Sequence, residues 1–536
     1  MKNRRILSAL AALSLVFGVA QAVHADAWTP VFENTPDGTM VAAITEGADY
    51  AGVSRRIVHI NNANGSVTEY LCPTGHVPGT TCDGTVDGGL FYSNAVLPSC
   101  TTKTQIDCVE AVLFGKAEGE LTKATYVRDV AGQKYEAGAG GLPAGGTMSV
   151  WDAPGLTHQG GTTKYAVQVN QETGWDRGTD SYTTFAISAS IIPISDRSGT
   201  QYKTPNLVAY NNAGEIAGNS GIAGWEFASG CAFTEAGYCG VSQDFAADSR
   251  FSLVIRASNQ ITGWFKGRIQ KPVVTIDKFS DTNNRITMTA EPVQVGRLAA
   301  TVTAANTTDK GKQLLSYAMR TGVTEMFRGR TIRSTHPDTQ DSISWVEEFR
   351  TAANDTAAGT STLWSYATLA GGSENNECFA DKTRVVGVVT TNATALAVGA
   401  PTFENGMLDY RVAGLHYAPD GKTLNEGTYD LIIRSDVARC LYGFTKAPIS
   451  ATIKVVGEGG ENKVATVMVN EDAKTGWIKM AAYGFNFSSP TIKVKLTQAK
   501  APAKKVTITC VGIKNKKLTK KVTAVAAKCP TGYKKK

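Results

Sequence analysis

Thr428–Val456 reads TYDLIIRSDVARCLYGFTKAPISATIKVV, and the fold class is decided there. Tyr429, Leu431 and Ile433 alternate with Asp430, Ile432 and Arg434, and Ile453 and Val455 alternate with Thr452 and Lys454. A period of two is the signature of a strand with one face on a core. Lys446-Ala447-Pro448 interrupts the run, so the stretch predicts two strands joined by a loop that carries Cys440 and several aromatic residues. That is the pattern of a sandwich core.

The same pattern recurs outward from this stretch. Strands are expected at Arg384–Thr391 and Thr491–Leu496, and upstream at Lys164–Val169, Tyr182–Ile192, Phe251–Ala257, Pro272–Asp277 and Arg285–Ala290. Arg56–Asn61 and Ser66–Leu71 predict a hairpin around Asn64-Gly65, a pair that tolerates positive φ. Helical spacing is confined to Lys312–Arg320 and Ile343–Asn354, the second with a Ser344/Glu347 capping-box pattern. The expectation is a mainly β chain of tandem, immunoglobulin-like β-sandwich modules with a few short helices, stabilised by disulfides. The expected modules are residues 26–280 and residues 281–499, followed by a basic hairpin tail at 500–536.

Residues 1–28, MKNRRILSALAALSLVFGVAQAVHADAW, place three bases before an apolar run and end it in small-residue cleavage sites at Ala22 and Ala25. This is the pattern of a secretory signal peptide over residues 1–25. The ten cysteines agree with an oxidising compartment. Pairing of nearest neighbours gives Cys72–Cys82, Cys100–Cys108, Cys231–Cys239, Cys378–Cys440 and Cys510–Cys529.

Charge is divided unevenly along the chain. Of the 54 basic residues, three lie in residues 1–25 and twelve, all lysine, in 500–536, which leaves 39 against all 47 acids in between. An acidic body therefore carries an acid-free cationic tail, APAKKVTITCVGIKNKKLTKKVTAVAAKCPTGYKKK. Val506–Val511 and Leu518–Val525 read as its two strands, closed by Cys510 and Cys529. Lys514, Lys516, Lys517, Lys520, Lys521, Lys534, Lys535 and Lys536 are the candidates for binding anionic polymers of the cell envelope. Export argues against nucleic acid as the partner.

Motifs of catalysis and metal binding are missing from the sequence. There is no His-Glu-x-x-His, Gly-x-Ser-x-Gly or phosphate-binding loop, and no cofactor is expected. Cys72, His76, Cys82 and Cys100 could be set out as zinc ligands, but the cysteines fit disulfides better, and Asp83 and Asp87 fit a polar turn better than a calcium loop. Arg328, Arg330, Arg333 and His336 form a basic cluster near Asp338 that reads as a solvated loop. Thr-Gly-Trp occurs three times, at 173–175, 262–264 and 475–477. Exposed tryptophans would be sugar platforms; the preferred reading is a repeated turn that feeds a core strand.

The tail TITCV…KCPTGYKKK, together with LDYRVAGLHY, RSDVARCLYGF, FSSPTIKVKLTQ, LPSCTTKTQIDCVEAV and GWFKGRI, resembles secreted and cell-surface proteins of actinobacteria. Their function is uncharacterised. The resemblance implies export and association with a Gram-positive envelope, and it supplies no catalytic residues. The expected function is binding, adhesion or scaffolding at the cell surface, with a carbohydrate-active hydrolase or carbohydrate-binding protein as the alternative.

Overall fold

The computed structural model describes residues 38–44, 46, 54–61, 67–84, 89–176, 179–198, 209–210, 216–217, 231–235, 238–317, 327, 331–369, 376–379, 384–445, 449–457, 462–463, 466–472, 474–487, 490–498 and 506–536. Residues 1–25 lie outside them. The chain is mainly β, with several sheets and three short helices among the described residues: α1 (Asp309–Tyr317), α2 (Ser342–Phe349) and α3 (Ser435–Tyr442).

The two strands of the opening stretch lie in different sheets. Glu426–Arg434 is a central strand, antiparallel to Val385–Thr391 on one side and to Trp477–Asn486 on the other. Ile449–Val456 pairs with Thr491–Gln498 in a second sheet, whose next strand is Met407–Ala413. The sheets face each other across a core that joins Tyr429, Leu431 and Ile433 to Ile453, Val455, Tyr410 and Val494. The alternation in the sequence is the consequence of that packing.

The link between these strands is a helix, not a loop. In α3, Val437, Ala438 and Leu441 form the buried side, and Gly443 ends the helix in the left-handed region at φ 63°. Asp436 in the first turn and Arg439 in the last suit the helix dipole. Cys440 bonds Cys378, which fastens α3 to the short turn Glu377–Phe379.

Glu426–Arg434 is also buried on its other face. Ile432 belongs to a second core that draws in Val109, Val167, Ile187, Phe251, Trp364 and Trp477. Long strands serve more than one sheet. Gly263–Lys278 pairs with Val385–Thr391 along its first half and with Asn283–Arg297 along its second, and it also meets Ser365–Thr368. A barrel strand has two neighbours, so this three-partner strand marks packed sheets that share strands at bends. The bend coincides with a register shift between Gln270 and Val273, where Lys271 takes a positive φ of 50°.

A third core gathers α1, α2 and a three-stranded sheet. Thr39–Ile44 lies between Ala299–Thr303 and Thr331–Thr335 there, antiparallel to the first and parallel to the second. The capping box expected at Ser344 does not form: α2 starts two residues earlier, and Ser344 lies inside it. The hairpin expected at Arg56–Leu71 is present as Arg55–Asn61 paired with Val67–Leu71.

Four of the five disulfides form as expected, at Cys72–Cys82, Cys100–Cys108, Cys378–Cys440 and Cys510–Cys529. The side chains of Cys231 and Cys239 lie outside the described residues. No helix among the described residues is long and apolar enough to cross a membrane.

Candidate functional site

The tail folds into a sheet of its own. Val506–Gly512 is its central strand, flanked by Thr519–Ala524 and by Tyr533–Lys535, both antiparallel to it. The third strand was not expected, since GYKKK carries no alternation. A two-stranded ribbon is marginal in water, so this strand and the Cys510–Cys529 bond complete the unit. Cys510 is fully buried. Lys520 Nζ lies 5.2 Å from the centre of the Tyr533 ring, a cation–π contact across the sheet.

All eight candidate lysines are exposed, as is Lys528. Short polar strands leave the ammonium groups no core to enter, and the tail holds no acid to neutralise them. The site is therefore a compact surface on which every charged side chain is cationic, and it attracts polyanions at ranges set by salt.

The Thr-Gly-Trp repeat has two structural meanings. Gly263 and Gly476 take φ of 78° and 72°, turns that deliver Trp264 and Trp477 into core strands. Trp264 is 1% and Trp477 3% exposed, so neither is a platform for a solute. Trp264 lies against Gly387 on the neighbouring parallel strand, where a Cβ would sit 2.3 Å from its ring. Gly174 instead lies within the strand Lys164–Asp176. Trp175 is half-buried, stacked on His76 at 4.3 Å and edge-on to Tyr182 at 4.7 Å.

The remaining candidates are structural. Asp83 accepts a hydrogen bond from the Gly79 amide at 2.7 Å, as a turn residue does; Asp87 lies outside the described residues. Arg333 is not a solvated loop residue. It is 5% exposed within the strand Thr331–Thr335, and burial lowers its pKa to about 10. Asp338 pairs with Lys266, and Arg328 and Arg330 lie outside the described residues.

Sequence reasoning missed a buried carboxylate. Asp430 stands in the opening stretch on the same side of its strand as Ile432, and it is 5% exposed. It accepts hydrogen bonds from Tyr483 Oη at 2.5 Å and the Lys271 amide at 3.2 Å, with Thr390 Oγ1 at 3.5 Å. The bulge at Lys271 frees that amide from the strand ladder. Glu291 lies nearby, held by Lys271 Nζ at 3.0 Å. Burial pushes the Asp430 carboxyl up to about 7, and the Glu291 charge pushes the same way; the three donors offset only part of this. Burial, and then the Asp430 charge, also push the Tyr483 phenol up. Five strands thus meet around a carboxyl that holds a proton near neutrality. With Asp430 this enclosed, the proton acts on the stability of the fold and not on a solute.

One sheet face in the N-terminal half mixes exposed apolar side chains with the Arg55–Glu69 ion pair and His59. Leu71 is opposite Ile57, which is opposite Tyr92, and Leu90 is opposite His59. Phe185 approaches Tyr92 at 6.3 Å, and Leu71, Leu90 and Phe185 are each more than half exposed.

Compared with known proteins, the chain matches no family model, no curated protein and no solved structure.

Proposed function

We propose that this chain is an exported cell-surface protein of binding or scaffold type, held on the cell envelope by its cationic tail. The carrying observation is the tail itself: every lysine described in it is exposed, and no acid lies within 500–536. Its resemblance to tails of secreted actinobacterial proteins supports the same reading, as do the signal-peptide pattern and the disulfides. The packed sheets are read as immunoglobulin-like sandwich modules whose task is to present surface. The mixed face that sets Leu71, Leu90 and Phe185 beside Arg55 and Glu69 is open to contact. A carbohydrate-binding reading loses two of its three tryptophan platforms to the core.

Sedimentation with isolated envelopes tests the proposal. The mature chain and the same chain ended at Lys500 are mixed with envelopes across a salt series. The expected outcome is that only the longer chain pellets, and that salt releases it. Equal pelleting of both would remove the tail from the account.

A further inference from the structure

The two faces of the tail sheet differ. Residues directly opposed in an antiparallel pair share a face, and faces alternate along each strand. Thr507 is opposite Thr523, Thr509 opposite Lys521, and Val511 opposite both Thr519 and Lys534. The Lys536 amide donates to the Thr509 carbonyl at 2.9 Å, which puts Lys536 in the same row as Thr509. One face therefore presents Lys521, Lys534 and Lys536 among four threonines. Thr507 and Thr523 are hydrogen-bonded through their hydroxyls at 2.7 Å, and all but Thr509 and Val511 on this face are exposed. The opposite face carries the Cys510–Cys529 bond, Tyr533 with Lys520 across it, and the half-buried Ile508 and Val522.

On the open face, two residues along a strand span about 7 Å, and the outer strands lie about 10 Å apart. Lysines rooted at those spacings, with hydroxyl donors between them, make the face a grid of donors. We propose that this face binds a linear phosphodiester polymer laid across the three strands, with Lys521, Lys534 and Lys536 each meeting a phosphate and the threonine hydroxyls donating to phosphate oxygens. The inference rests on the envelope-attachment reading and names its ligand class and its face.

Two features select this partner. The tail has twelve lysines and no arginine. An arginine fork would suit carboxylate and phosphate alike, whereas a lysine ammonium binds phosphate as a point charge; a phosphodiester gives it one charge and two free oxygens per repeat, which leaves the second oxygen for a threonine hydroxyl. The face also lacks the exposed apolar side chains with which a sheet would enter a lipid surface. The exposed Val506 lies on the other face, and Ile513, Leu518 and Val525 lie outside the strands.

The test uses the full mature chain and immobilised poly(glycerol phosphate) at near-physiological salt. One variant carries K521Q, K534Q and K536Q; its charge-matched control carries K516Q, K517Q and K535Q. Retention of the Cys510–Cys529 bond, read by mass after digestion, verifies that both tails have folded. The expected result is an affinity loss of about tenfold for the open-face variant and of at most about threefold for the control, from exposed-pair energies. Equal losses would overturn the face while leaving charge-based attachment intact. Equal affinity for polyglutamate would overturn the phosphodiester class, and capture by phosphatidylglycerol vesicles in preference to the polymer would overturn the choice of polymer over membrane. Salt-sensitive pelleting with envelopes, combined with no affinity for the polymer, would sink this inference alone. Failure of the chain to pellet with envelopes would sink the attachment reading as well.

Discussion

Replacing Asp430 with Asn should stabilise the protein at neutral and alkaline pH and change little in acid. The carboxyl has an ordinary value of 3.8, and burial raises it to about 7 in the fold. The folded chain therefore keeps a proton over a range in which the unfolded chain has lost it. The stability that this proton confers is complete below the unfolded value and is lost as pH rises through the folded one. Over about three units at 1.36 kcal/mol each, the loss amounts to about 4 kcal/mol by pH 7 and stays constant above it. Asn reproduces the protonated acid: its carbonyl accepts from the Lys271 amide and its NH2 faces the Tyr483 oxygen. The D430N chain should therefore match the native one near pH 4 and exceed it by up to about 4 kcal/mol at pH 8. Urea unfolding midpoints of both chains at half-unit steps from pH 4 to 8.5, disulfides intact, measure this difference. A difference that does not change with pH, or a variant less stable at every pH, would refute the buried-proton account.

Four further outcomes follow from the packing. The Y483F chain loses a donor to the Asp430 carboxylate, so its pH-dependent loss of stability should extend to higher pH in the same titration. G387A places a methyl against the Trp264 ring in a filled core, and should lower stability by about 1–3 kcal/mol, read from the urea midpoint. The paired change C378S/C440S opens a loop closed over 62 residues and should cost about 4 kcal/mol in the same assay. In the tail, C510S/C529S leaves the charge unchanged but frees the sheet, so envelope binding should weaken while the body's melting transition stays in place.

The sequence pattern revealed what rests on one-sided burial. In Ile449–Val456, Ile453 and Val455 face the core while Thr452 and Lys454 face out, and the strand is plain from its alternation. The same logic hid Asp430. A polar residue in an alternating run reads as solvent-facing, yet Glu426–Arg434 is covered on both sides and the polar position is interior. Helix α3 went unread because eight residues show barely two turns, and its buried Val437, Ala438 and Leu441 were absorbed into the strand pattern on either side. Its Ser435-Asp436 start and Gly443 stop were the available signals. The strand Tyr533–Lys535 has no apolar period at all; it is fixed by pairing with Val506–Gly512 and by the nearby disulfide, both tertiary facts. The Thr-Gly-Trp repeat was readable as a turn into a core strand at Trp264 and Trp477. At Trp175 the same three letters lie within a long strand, where pairing overrides the local turn preference.

Charge on the tail is the centre of the account, and one comparison isolates it. The chain from Asp26 to Lys536 is set beside one in which the nine described tail lysines are replaced by glutamine, and retention on intact envelopes is followed as salt rises. Retention of the native chain should fall steeply on a logarithmic salt scale, as counterion release requires. The glutamine chain should bind weakly, with little salt dependence. If the two chains bind alike with the same salt slope, the tail is not the attachment device and the body must hold the surface by itself.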